Sequence, residues 1–184
     1  MLSTAVLEQA GRLLETCRTR GLMLSSAESC TGGLVAAALT ATAGASDVFE
    51  RGFVTYSNAA KETMLGVPSE LIERHGAVSE PVARAMAEGA VRHSGANLAV
   101  SVTGVAGPGG GSAEKPVGLV WIAVANRDNI TLSERNIFRG DRAQIREASV
   151  AAALALLARL VEHESSGSTR TQPRGTAAPH RAPG

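Results

Sequence analysis

The stretch LMLSSAESCTGG, residues 22–33, decides the fold. Its apolar start is typical of a short buried strand, and its small polar end with two glycines is typical of a turn. The next residues, LVAAALT, favour a helix, so we predict that Thr31-Gly32-Gly33 opens a helix. A strand that runs into a helix is the repeating unit of α/β proteins, in which ligands bind at the carboxyl ends of strands.

The rest of the chain extends this alternation. Further strands are predicted in FERGFVTYS (49–57, ending near Tyr56), NLAVSVT (97–103), VGLVWIAVA (117–125) and ITLSERNIF (130–138). Helices are predicted over 2–17, as two short segments within 59–75, over 79–93 with the Ser79 hydroxyl as cap, and over 142–164 after an Asp141 cap. Helix-linked strands pair in parallel and the last two strands form a hairpin, so we expect a mixed sheet with helices on both faces.

The composition predicts one domain followed by a tail. The chain has 184 residues, of which 44% are hydrophobic and 3% aromatic, so its core depends on Leu, Val, Ile and Ala. Residues 1–164 form the predicted domain. Residues 165–184 are polar, rich in Pro and Gly and without periodicity, and we predict that they form a disordered tail.

Charge and cysteine content argue against several classes of function. The predicted tail holds three of the 18 basic residues and no acid, so residues 1–164 carry 15 basic and 17 acidic groups, a net charge of −2. This balance disfavours a nucleic-acid partner, and no apolar run reaches the roughly 18 residues of a membrane span. Two cysteines, Cys17 and Cys30, without a signal-peptide pattern predict a reduced, cytoplasmic chain.

Two adjacent residues at the predicted strand–helix junction are candidate nucleophiles. The Ser29 hydroxyl lies where amides of a helix N-terminus can stabilise an oxyanion. The Cys30 thiol at the same N-terminus is expected to have a lowered pKa. In the structural alternative, Ser29 and Thr31 cap the helix and Cys30 only packs. The four histidines show no triad or metal-ligand spacing, and His75 is the one candidate partner for a thiol.

Lys61 is the candidate general base. The chain has two lysines, Lys61 and Lys115, against sixteen arginines. Arginine cannot act as a base because it does not lose its proton in proteins, whereas burial allows a lysine to do so. Lys61 also follows the single tyrosine of the chain in YSNAAK, residues 56–61. A solvated helix charge beside Glu62 is the alternative interpretation.

Two further segments are candidates for ligand binding. The glycine-rich loop TGVAGPGGGS (103–112) follows a predicted strand, but it fits neither the phosphate-loop nor the dinucleotide-binding pattern, and a surface loop is an equal alternative. Arg142 and Arg146 lie one turn apart on the last predicted helix. There they can clamp a phosphate or form ion pairs with Asp141 and Glu147.

Five segments together resemble the CinA C-terminal domain family, whose active members are nicotinamide-nucleotide amidohydrolases. The segments are AESCTGG (27–33), FERGFVTYSNAAK (49–61), HGAVSEPVARAMA (75–87), SVTGVAGPGGGSAEKPVGLVW (101–121) and FRGDRAQIR (138–146). The resemblance covers roughly residues 5–162. It implies a three-layer α/β/α sandwich with a mixed, mostly parallel sheet, and a protein that forms a homodimer. It also implies that the protein deamidates a small-molecule substrate, nicotinamide mononucleotide, without a cofactor or metal.

The resemblance also implies roles for single residues. Ser29 matches the nucleophile, and Lys61 takes its proton either directly or through Tyr56. The residues expected to contact the substrate are Cys30, Thr31, Gly32, Gly33, Ser46, Asn58, Thr103, Gly104, Gly107, Arg142 and Arg146. Two other classes of function stay open, namely a catalytically idle nucleotide-binding or regulatory module and a cysteine-dependent hydrolase.

Overall fold

The computed structural model describes residues 2–128 and 130–167. Its helices are α1 (Thr4–Thr19), α2 (Leu34–Thr40), α3 (Asn58–Leu65), α4 (Ser69–His75), α5 (Glu80–Arg92) and α6 (Arg142–Gly167), with a 3₁₀ turn at Ala45–Asp47. Its strands are β1 (Leu24–Glu28), β2 (Phe49–Val54), β3 (Leu98–Gly104), β4 (Leu119–Asn126) and β5 (Thr131–Ile137). The helices and strands follow one another in the predicted order.

The strands form one sheet in the order β2-β1-β3-β4-β5. β1 pairs in parallel with both β2 and β3, whereas β4 runs antiparallel to β3 and β5. Four strands therefore share a direction that β4 opposes, and the predicted mixed, mostly parallel sheet is confirmed. β2 ends at Val54, two residues before the predicted end near Tyr56, because its partner β1 ends at the opposite residue, Glu28.

Helices cover both faces of the sheet. On one face α5 lies across β3 and β4, and side chains of α3 and α4 such as Leu65 and Ile72 join it in one apolar core. On the other face α1, α2 and α6 enclose a second core that includes Leu14 and Leu157. The predicted α/β/α sandwich is thus confirmed.

Two predicted details of helix starts are wrong. α2 begins at Leu34 rather than at Thr31, since the chain first makes a turn that ends with Gly33 in the left-handed region at φ 97°. α5 begins where predicted, but the Ser79 hydroxyl does not cap it. That hydroxyl instead donates to the Gly76 carbonyl at 2.8 Å and so fixes the loop before the helix.

The start of α6 is confirmed and its end is corrected. The Asp141 carboxylate accepts from the Gln144 amide at 2.9 Å, and the Gln144 side chain accepts from the Asp141 amide at 2.8 Å, which is a reciprocal cap. The helix continues to Gly167, beyond the predicted end at Glu164. Residues 168–184 lie outside the described residues, so the predicted division into domain and tail stays a prediction. Within the described ranges, no helix is long and apolar enough to cross a membrane.

A close contact between α3 and α5 generates the first prediction. A Cβ added at Gly89 of α5 would overlap the Leu65 carbonyl oxygen at the end of α3, whereas a Cβ at Gly11 of α1 would meet only Thr42 Oγ1 at 3.7 Å. We expect Gly89→Ala to lower the free energy of unfolding by about 1–3 kcal/mol through overpacking. Gly11→Ala should raise it by about 0.5–1 kcal/mol, because alanine restricts the unfolded chain.

Urea denaturation of both variants measures this difference, and Gly11→Ala serves as the matched helix-interior control. Equal changes in the free energy of unfolding for the two variants would show that the α3–α5 contact does not limit the size of residue 89.

Candidate active site

Residues with hydroxyl side chains lie at the ends of three neighbouring strands of the sheet. Ser29 comes directly after β1, Thr55 directly after β2, and Thr103 is the penultimate residue of β3. Since β1 lies between β2 and β3, these residues are side by side at the carboxyl ends of parallel strands. This edge is where open α/β sheets bind their ligands.

Lys61 of α3 reaches this edge from one face of the sheet. Its side chain is 1% exposed. Its Nζ lies 3.2 Å from Ser29 Oγ, 2.9 Å from the Thr55 carbonyl oxygen and 3.5 Å from the Ser57 carbonyl oxygen. Ser57 caps α3, because its Oγ accepts from the Ala60 amide at 3.1 Å, and this cap fixes the turn that carries Lys61. The structure thus joins two residues predicted to act together.

The surroundings of Lys61 favour its neutral form. No ion pair between Lys61 and a carboxylate exists among the described residues. Burial lowers the pKa of Lys61 below its ordinary value of 10.5, and the nearby Cys30 opposes that shift. A neutral amine has two hydrogens, which the Thr55 and Ser57 carbonyls can accept, and one lone pair, which then faces the Ser29 hydroxyl. This arrangement lets Lys61 accept the Ser29 proton.

Glu28, which sequence reasoning missed, caps α2. Its carboxylate is buried, at 1% exposure, and accepts from the amides of Gly33, Val35 and Ala36 at 2.9–3.0 Å. The Ser26 hydroxyl adds a contact at 3.2 Å. The alternative in which Ser29 or Thr31 caps the helix is therefore wrong. No local signal in the sequence indicated this contact, because Glu28 lies six residues before the first residue of α2.

The Cys30 side chain lies among apolar residues on the opposite face of the sheet from α3. It is buried in the core that α2 and α6 help to form. Burial raises the pKa of the Cys30 thiol to about 11, so the lowered pKa expected at a helix N-terminus is wrong. Its candidate partner, His75, is exposed at the end of α4, where its carbonyl accepts from Lys115. The geometry therefore favours Ser29 over Cys30 as the nucleophile.

The two arginines of α6 bind different parts of the site. Arg142 Nη1 donates to the Gly107 carbonyl in the glycine-rich loop at 2.6 Å, and its Nη2 donates to the Tyr56 hydroxyl at 3.0 Å. Arg146 donates to the carbonyls of Cys30 at 3.1 Å and Thr31 at 2.6 Å. Arg142 thus links the loop to Tyr56, and Arg146 holds the turn after β1.

The ion pairs considered for these arginines are not formed in the described part of the chain. Asp141 caps α6 instead, and Glu147 accepts from the Ser3 amide at 2.8 Å. The guanidinium groups of Arg142 and Arg146 are satisfied by neutral acceptors, and Arg142 is the more exposed of the two.

The remaining predicted residues differ in their closeness to the Ser29–Lys61 pair. Tyr56 (62% exposed) lies on the segment that joins β2 to α3, and Asn58 is the first residue of α3. Thr103 is buried, and its hydroxyl donates to the Ala77 carbonyl at 2.8 Å. A Cβ at Gly104 would lie 2.7 Å from the Leu119 carbonyl oxygen, so strand pairing already requires glycine there.

Ser46 is not brought to the site. It lies exposed in the 3₁₀ turn before the first residue of β2, whereas the Ser29–Lys61 pair lies beyond the last residues of the parallel strands. A six-residue strand separates the two positions, a length of roughly 20 Å.

Two buried hydroxyls near the pair have no partner. Thr31 Oγ1 and Thr55 Oγ1 make no hydrogen bond in the described structure. Buried polar groups are ordinarily paired, so these two hydroxyls are exceptions at this edge of the sheet. No cluster of three or more His, Cys, Asp or Glu side chains in the described ranges is arranged to hold a metal ion.

The family described as the CinA C-terminal domain matches residues 7–161. The nicotinamide-nucleotide amidohydrolase PncC of Escherichia coli is 51% identical over 150 residues, covering 82% of this chain and 89% of that protein. A putative competence-damage inducible protein of Symbiobacterium thermophilum is 52% identical over 160 residues, covering 83% of this chain and 37% of that protein. The chain thus spans little more than a third of this longer relative.

Solved structures agree with these matches. A competence/damage inducible protein from Agrobacterium tumefaciens superposes with a TM-score of 0.85 at 50% identity, covering 87% of this chain and 98% of that one. A CinA superfamily protein from Escherichia coli superposes with a TM-score of 0.81 at 34% identity, covering 87% of this chain and 94% of that one. Since the family model matches most of the chain and these relatives and structures agree with it, the chain belongs to the CinA C-terminal domain family.

Proposed function

We propose that this protein is an amidohydrolase that converts nicotinamide mononucleotide into nicotinate mononucleotide and ammonia. The observation that carries the proposal is the 3.2 Å contact between Ser29 Oγ and the buried Nζ of Lys61. The similarity to proteins named nicotinamide-nucleotide amidohydrolase supports the choice of substrate. A serine with an adjacent neutral base is one constellation that can attack a carboxamide.

In the first half of the proposed reaction, Ser29 Oγ attacks the carboxamide carbon while Lys61 takes the hydroxyl proton. The negative charge that develops on the carboxamide oxygen needs donors, and the turn after β1 supplies them. The amides of Cys30 and Thr31 have no acceptor from another residue in the described part of the chain. These two amides are the proposed oxyanion donors.

In the second half, protonated Lys61 returns its proton to the nitrogen of the amide. The C–N bond breaks, ammonia leaves, and an ester between Ser29 and the nicotinyl group remains. Water then attacks this ester with Lys61 as base, and Ser29 is regenerated. The direct contact between Lys61 and Ser29 requires no relay through Tyr56, whose hydroxyl accepts from Arg142. We assign Tyr56 to placing the substrate.

Arg142 is the proposed ligand of the substrate phosphate. It is exposed and currently donates to a backbone carbonyl and a phenol, both neutral acceptors. A phosphate dianion forms stronger, charge-assisted hydrogen bonds with a guanidinium group. By resemblance to the family we also propose a homodimer that works in the cytoplasm.

The release of ammonia from nicotinamide mononucleotide without added metal tests the proposal. We expect the wild-type protein to release ammonia and a folded Ser29→Ala variant to show none above background. Cys30→Ala is the matched control, and it should keep most of the activity because the thiol is buried in an apolar core and its pKa is raised to about 11. An inactive wild type would favour the catalytically idle module instead. Loss of activity in a folded Cys30→Ala variant would favour a thiol nucleophile.

If Lys61 is the general base, a positive charge at position 61 is not enough for catalysis. Lys61→Arg keeps the positive charge but cannot lose a proton, so kcat should fall nearly as far as in Lys61→Ala, by about 100-fold or more. Steady-state kinetics measures both variants, and circular dichroism checks their folding. An arginine variant that keeps most of its kcat and changes only KM would place Lys61 in substrate binding.

Burial of the Lys61 amine also predicts a pH-dependent stability. Because the folded pKa lies below the unfolded value, the unfolded chain binds more protons between these two pKa values, and wild-type stability should rise with pH in that window. Lys61→Met removes this group. Its stability relative to wild type should therefore be greatest below the folded pKa and should decline as the pH rises toward 10.5.

Chemical denaturation at several pH values gives this comparison. Lys115→Met is the control for the loss of one lysine. Its free energy of unfolding should vary with pH as in wild type, because Lys61 is still present. A stability difference between Lys61→Met and wild type that does not vary with pH would contradict a lowered pKa.

A further inference from the structure

Two side chains that take no part in the proposed reaction, those of Glu28 and Arg146, hold the turn that follows Ser29. From one side the buried Glu28 carboxylate accepts the amides of Gly33, Val35 and Ala36. From the other side the Arg146 guanidinium, carried by α6, donates to two backbone carbonyls of the same turn. Separate side chains therefore fix one N–H group of the turn, that of Gly33, and two of its C=O groups.

The hydrogen bonds of the turn show which of its amides have no acceptor on another residue. Arg146 donates to the carbonyl of Cys30. In a trans peptide the N–H group points opposite to the C=O group, so the Thr31 amide, which shares this peptide bond, points away from the guanidinium group. The Gly32 amide is used by the Ser29 carbonyl at 3.1 Å, and Glu28 uses the Gly33 amide. Among the described residues, the amides of Cys30 and Thr31 have no acceptor on another residue, and they are the ones adjacent to the proposed nucleophile.

The chain maintains this arrangement although it is energetically demanding. A buried carboxylate is costly unless it is fully hydrogen-bonded, and Glu28 has four donors. Gly32 and Gly33 have φ values of 58° and 97°, which other residues rarely adopt. A simple helix cap would need neither two left-handed residues nor an arginine from a distant helix.

We propose that Glu28 and Arg146 are positioning residues that lock the Ser29–Gly33 turn in its oxyanion-binding orientation. The inference rests on the proposed serine mechanism. It gives Arg146 a role other than the phosphate contact expected from the sequence, since both of its bonded nitrogens hold backbone carbonyls. It also explains why a carboxylate can lie beside the nucleophile without contacting the substrate.

Two conservative variants test the inference. Glu28→Gln keeps the shape of the side chain but has one acceptor oxygen instead of two, and Arg146→Lys keeps the charge but cannot hold two carbonyls in a fork. Glu88→Gln is the matched control, because Glu88 lies on α5, away from the turn, and its carboxylate accepts from the Thr131 hydroxyl of β5. For each protein we would measure kcat and KM for nicotinamide mononucleotide, and the rate at which a fluorophosphonate labels Ser29.

The fluorophosphonate provides a readout that does not depend on the natural substrate. Ser29 Oγ attacks its phosphorus, Lys61 takes the hydroxyl proton and fluoride leaves, while the phosphoryl oxygen occupies the oxyanion position. A misaligned turn should slow this step. Amide hydrogen exchange of residues 29–36 shows in parallel whether the turn has loosened.

We expect both variants to fold, to lose about 10- to 100-fold in kcat with KM within about threefold, and to label Ser29 more slowly by a similar factor. Glu88→Gln should match wild type. Folded variants with kcat and labelling rates within twofold of wild type would overturn the inference, as would a wild type whose Ser29 is not labelled. If Glu28→Gln does not fold, Arg146→Lys decides the outcome alone.

The same experiment separates this inference from the proposed function. A wild type that is labelled at Ser29 but releases no ammonia from nicotinamide mononucleotide would contradict the substrate assignment. Slower labelling of the two variants would still support the positioning roles in that case.

Discussion

The burial of one amino group beside one hydroxyl is the constraint on which the site depends. Lys61 Nζ is enclosed with no carboxylate ion pair among the described residues, and its nearest polar atoms are two carbonyl oxygens and Ser29 Oγ. Burying an unpaired ammonium ion is costly, so the environment favours the neutral amine. The position that destabilises the charged lysine thereby makes it a base.

Glu28 and Lys61 are buried ionisable groups at the same end of the sheet, but their surroundings differ. Glu28 receives four hydrogen bonds, which suit a carboxylate, whereas Lys61 forms no ion pair with a described carboxylate. The fold achieves this through close packing: Gly89 lets the end of α3 lie against α5, and the Ser57 cap sets the helix turn that points Lys61 at β1. The hydrogen-bonded carboxylate of Glu28 therefore organises the backbone, and the amine of Lys61 is left to accept a proton.

Much of this arrangement could be predicted from the sequence, because it depends on local pattern. The strand–helix junction, the scarcity of lysine and the order of strands indicated Ser29, Lys61 and the edge where they meet. The roles of Glu28 and Arg146 could not be predicted, since they depend on which backbone groups of a five-residue turn remain unpaired. Ser46 was misplaced because the sequence motif does not show that β2 separates it from the pair.

The most direct test of the account is the titration of Lys61 itself. In the Lys115→Arg variant, Lys61 is the only lysine left in the chain, so NMR of protein carrying ¹³C- and ¹⁵N-labelled lysine follows one side chain without assignment. The account predicts a titration midpoint below the ordinary value of 10.5, with the neutral amine populated where the protein is active. A midpoint at or above 10.5 would show a charged Lys61, and the serine–lysine mechanism would then be wrong.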